Sequence, residues 1–106
     1  MSNHNFSIEG RALAEPKIYE ANPDGTARSY AVELLTFMGD RPTVLIESDG
    51  RRRPDIEVLM SAGAIRPGDV IRFTGSIHMR PDLREGAAPG ATTEMPVAET
   101  AKIYHQ

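Results

Sequence analysis

At 106 residues the chain has room for one domain and one shallow core, so residues 1–106 are read as a single domain. An apolar fraction of 40% and a charged fraction of 25% are ordinary for a soluble globular protein, while a net charge of −3 weighs against coating phosphate by bulk positive charge. The absence of cysteine excludes disulfides, thiolate nucleophiles and Cys-ligated zinc. No run approaches membrane-spanning length and the first residues lack a basic-then-apolar leader, so a cytoplasmic protein with no membrane partner is expected.

Phe6 to Ala12 alternates, with Phe6, Ile8 and Ala12 on one side and Ser7, Glu9 and Arg11 on the other, the pattern of a half-buried strand. Glu15-Pro16 interrupts it, Lys17 to Ala21 forms a short connection or strand extension, and Asn22-Pro23-Asp24-Gly25 has turn chemistry. Ala27 to Phe37 reads as a long second strand with a bend, carrying Tyr30, Val32 and Leu34 on one parity and Leu35 and Phe37 on the other. Thr43 to Glu47 is a short β-branched third strand between two turn-forming segments. Asp55 is placed to cap a short helix with Ile56, Leu59 and Met60 on one face and Gly63 past its end. After the turn Arg66-Pro67-Gly68-Asp69, Val70 to Met79 puts Ile71, Phe73, Gly75, Ile77 and Met79 on one side of a fourth strand, with Arg72, Thr74, Ser76 and His78 opposite. A flexible loop rich in Gly, Ala and Pro is expected at about 80–94, before a last strand from Met95 to Tyr104. The expected fold is all-β: a five-stranded oligonucleotide-binding (OB) barrel with one short helix between strands three and four.

Gly10-Arg11 followed by Glu15-Pro16, the Asp24-Gly25 turn, and Arg66-Pro67-Gly68 followed by Gly75, His78 and Arg80 resemble the bacterial and phage single-stranded-DNA-binding protein family. The resemblance runs from Asn5 to Tyr104 and implies an OB barrel, sequence-tolerant binding of single strands, and assembly into homodimers or homotetramers. Two departures stand out. The family's polar tail with its acidic end has no counterpart before Gln106, so replication or recombination partners would be met through the barrel. Trp is absent, and Val44 to Ile46 occupies the stretch where the family carries stacking aromatics. A tailless chain of this size also resembles primosomal replication-restart protein B.

A single strand needs cations along its backbone and flat groups beneath its bases. Arg11, Arg72, His78 and Arg80 lie on solvent-facing parities and are the first candidates, against the plainer reading that Arg and His fill the wet side of a sheet. Arg28 in the second strand joins them. Arg51-Arg52-Arg53 is either a phosphate clamp or a solvated charge run, and Arg84 is a lone charge in the long loop. Phe37, at a strand end, is the candidate for stacking; Phe6 and Phe73 belong to the core, and packing suits Tyr19, Tyr30 and Tyr104 better than stacking.

No enzyme is expected. His4, His78 and His105 are dispersed without metal-ligand spacing, no phosphate loop, nucleophile elbow or HExxH motif occurs, and no cofactor is implied. The function expected is passive single-stranded-DNA binding in replication, recombination or repair, at the nucleoid or in a phage-infected cell. The alternatives are an OB-fold interaction module of a primosome, replisome or phage assembly, and an RNA binder.

Overall fold

In a computed structural model, residues 5–47, 59 and 63–104 are described. Among these residues six strands form one sheet: β1 (Asn5–Ala12), β2 (Lys17–Ala21), β3 (Ala27–Thr36), β4 (Thr43–Glu47), β5 (Val70–Pro81) and β6 (Thr92–Tyr104). Their order is β1-β5-β6-β4-β3-β2, and a second pairing of β1 with β3 closes five of them into a ring with β2 outside it. Among the described residues the single parallel contact, Leu45 beside Val97, joins β4 to β6, and every other pairing is antiparallel. This is the five-stranded barrel expected, and the Lys17–Ala21 segment forms a sixth strand beside β3. The expected helix at 55–60 lies outside the described residues except for Leu59, which is buried in the core. No α-helix is present among the described residues.

The seam works because β1 turns from one neighbour to the other. Along Asn5–Arg11 it pairs with β5, and over Gly10–Ala12 it also pairs with β3. A Cβ on Gly10 would stand 2.8 Å from the Leu35 carbonyl oxygen, so a side chain there would force the seam apart. Ile71 and Phe73 of β5, Val32 and Leu34 of β3, and Val44 and Ile46 of β4 fill the barrel, with Leu59 and Ile65 from the connection after β4. Phe6 and Ile8 pack against this cluster as their parity predicts. The two turns read from Pro and Gly are present: Gly25 N–H donates to the Asn22 carbonyl, and Asp69 N–H to that of Arg66.

The alternation expected through β5 holds through buried Gly75 and fails after it. The register with β6 shifts between Thr74 and Gly75, where Glu99 is the extra residue of a β-bulge. Ser76 is consequently buried, and Met79, expected inside with Ile71 and Phe73, is exposed. Beyond this point β5 and β6 leave the ring and continue as a two-stranded arm, paired as far as Pro81 with Thr92. The loop expected at about 80–94 thereby contracts to 82–91, with Asp82 N–H donating to the Ala91 carbonyl at its base.

Candidate nucleic-acid interface

The cross-strand registers assemble one broad outer face from β1, β5, β6 and the end of β3. Leu35 lies opposite Arg11, Arg11 opposite Val70, and Val70 opposite Tyr104. The adjacent row sets Glu9 beside Arg72 and Arg72 beside Lys102. Strand residues two apart share a face, so inward Ile8, Ile71, Phe73 and Ile103 place these side chains in solvent. The same alternation carries Phe37 to the rim of this face. It sits in the tight β3–β4 turn, where Gly39 N–H donates to the Thr36 carbonyl and Asp40 N–H to the Thr36 hydroxyl. Phe37 is 99% exposed and its neighbour Met38 82%. A shallow groove lined by Glu9, Gly10, Arg11, Leu35, Thr36, Phe37 and Val70 runs at its foot.

The cations of this face are held loosely. Arg72 donates through Nε to Glu9 at 3.2 Å, but the two side chains remain 53% and 48% exposed, so water screens the pair. Lys102 Nζ lies 5.6 Å from the centroid of the Tyr104 ring, an exposed cation–π contact. Arg11 has no ion pair or side-chain hydrogen bond among the described residues.

The arm is built differently. Arg80 makes a two-pronged contact with Glu47 of β4, Nε to Oε2 at 2.6 Å and Nη2 to Oε1 at 2.9 Å, with only 28% and 16% of the two side chains exposed. This hydrogen bonding raises the Arg80 pKa above its ordinary value, with burial opposing it. The Tyr19 hydroxyl of β2 donates to the Pro81 carbonyl and fastens the arm a second time. Arg84 in the hairpin loop donates through Nε and Nη2 to Asp82 at 2.9 and 2.7 Å. Those hydrogen bonds, and one from the Arg84 backbone N–H, hold the Asp82 carboxyl down at about 2.

The candidates from sequence therefore divide. Arg11 and Arg72 share the outer face with Phe37 at its rim, whereas His78, Arg80 and Arg84 belong to the arm, with Arg80 and Arg84 committed to carboxylates. Arg28 is exposed near the start of β3, one residue before Ser29, which lies opposite Glu47. Arg51, Arg52 and Arg53 lie outside the described residues. Lys102 and Tyr104 complete the outer face and were not singled out for binding from sequence; their alternation with Ile103 in the last strand was the available signal. A separate groove beside β2, β3 and β4 is lined by Leu13, Ala14, Glu15, Lys17, Ala31, Glu33 and Thr43, two carboxylates against one ammonium.

A five-stranded closed ring with one parallel contact between its third and last members defines the class as an OB fold. Among solved structures, the mitochondrial single-stranded-DNA-binding protein Rim1 of S. cerevisiae superposes with a TM-score of 0.63 at 14% identity, covering 98% of this chain and 96% of that one. The small single-stranded-DNA-binding protein of Streptomyces coelicolor matches with a TM-score of 0.49 at 16% identity over 100% and 96% of the two chains. No protein-family profile matches the sequence, and no curated protein matches it.

Proposed function

We propose that this protein binds single-stranded DNA with little regard to sequence and without chemistry, serving replication, recombination or repair. The observation that carries the reading is the outer face, where Arg11, Arg72 and Lys102 stand beside exposed Phe37 and Tyr104 on an OB barrel. Cations suit phosphate and flat rings suit any base, which is the combination that sequence-tolerant single-strand binding requires. Rim1, which has the same fold, is named for that activity and supports the reading.

The N-terminal half of β1, Asn5 to Glu9, pairs with β5 on one side and with no described strand on the other. An open edge of this kind accepts a second copy, and assembly into a dimer or tetramer through it is part of the proposal. Light scattering reads the state directly.

Fluorescence anisotropy of labelled oligo-dT over a salt series tests the function. Affinity is expected to fall as salt rises, and rU competitor separates DNA from RNA preference. Unchanged anisotropy at low ionic strength overturns the proposal. That result would favour a protein-interaction module, the reading suited by the acidic groove of Glu15 and Glu33.

A further inference from the structure

OB barrels commonly hold oligonucleotides on the second and third strands of the ring and the loops beside them, here β3, β4, the β1–β2 connection and the arm. In this chain the groove of that region is poorly suited to phosphate, and exposed Arg28 of β3 is not among its lining residues. The groove carries Glu15 and Glu33 against Lys17. Glu47 is occupied by Arg80, the arm is fastened there through Tyr19 and Pro81, and Arg84 is neutralised by Asp82.

The outer face of β1, β5 and β6 has the opposite balance. Arg11, Arg72 and Lys102 face solvent with Glu9 among them, and Glu99 stands at the far end, where Ser76 donates to it. Three cations against two carboxylates leave this face net positive among the described residues, the balance that a polyanion needs.

We infer that the single strand crosses the outer face of β1, β5 and β6, transverse to the strands, with one base seated on Phe37 in the groove beside Arg11. The inference rests on the proposed single-strand binding and assigns it a surface. From β6 to β3 the track spans three strand spacings, about 14 Å measured along the sheet. Tyr104 and Phe37 stand at its two ends, and Arg11, Arg72 and Lys102 lie between or beside them for the phosphates. Phosphate displaces Glu9 from Arg72 at little cost, because both groups are already half in water.

Four variants decide the matter by anisotropy against oligo-dT, with molar mass measured in parallel. Phe37→Ala is expected to weaken binding roughly 5- to 150-fold, the equivalent of one lost base stack. Arg11→Ala and Lys102→Ala are each expected to lower the salt slope by about 0.7. Lys17→Ala removes the same charge from the acidic groove and is expected to leave affinity and slope near wild type. Three outcomes overturn the assigned surface: Arg11→Ala and Lys102→Ala behaving like Lys17→Ala, Lys17→Ala losing affinity as they do, or Phe37→Ala lowering the molar mass of the assembly while binding persists. Absence of binding by the wild type instead removes the underlying function, so the two failures are distinguishable.

Discussion

The outer face and the arm each carry two or more of the arginines that sequence marks as binders, yet only one of these regions leaves them available. On the arm, Arg80 is gripped by Glu47 and Arg84 by Asp82. On the face, Arg11 has no carboxylate partner among the described residues and Arg72 has one that is half exposed. A cation contributes to phosphate binding only to the extent that its existing partner releases it. A half-buried two-pronged pair releases poorly, because separation strands a charge in a dry place, whereas an exposed pair exchanges readily.

The largest effect is expected where the two regions join. Gly75 lies at the bulge where the barrel gives way to the arm, and a Cβ there would stand 2.0 Å from the Val97 carbonyl oxygen and 2.9 Å from Glu99 N. Both obstacles are backbone, so Gly75→Ala is expected to cost about 3 kcal/mol or more, read as a lowered urea midpoint. Next comes Glu47→Ala, which leaves Arg80 partly buried without its carboxylate. A loss of about 1–3 kcal/mol is expected, with faster amide hydrogen exchange along the arm. Glu9→Gln sharpens the contrast: stability should change by less than about 0.5 kcal/mol, while oligo-dT affinity rises as Arg72 is released.

The smallest effect concerns pH. The Asp82 carboxyl is depressed to about 2 by its hydrogen bonds from Arg84. Depression favours the ionised form in the folded chain, so this contact is complete at neutral pH, begins to lose its stabilising effect below the ordinary carboxylate range, and is lost as pH falls through about 2. Carboxyl-detected NMR titration should place Asp82 there in the wild type and move it toward its ordinary 3.8 in Arg84→Ala.

Much of the barrel was legible because local chemistry and global fold agree. Alternation in β1, the β-branched run of β4, and the turns at Gly25 and Gly68 each point to one structure. The shift of phase after Gly75 was not legible, since it accompanies an extra residue on β6, and Glu99 looks like any other strand position in Ala98-Glu99-Thr100. The site was half legible. Parity put Arg11, Arg72 and Phe37 outside, and Arg84 with Asp82 is a neighbouring pair that sequence displays. The partners of Arg80 and Arg72 lie 33 and 63 residues away, so which arginine is held tightly and which loosely is decided by tertiary structure alone.

Backbone amide NMR during titration with oligo-dT tests the central claim most directly, because it reports both regions in one experiment. The largest shifts are expected at Glu9 to Arg11, Phe37 to Gly39, Val70 to Arg72 and Lys102 to Tyr104, with the arm between His78 and Glu94 nearly unmoved. Shifts concentrated in the arm and along β4, with the outer face silent, would contradict it.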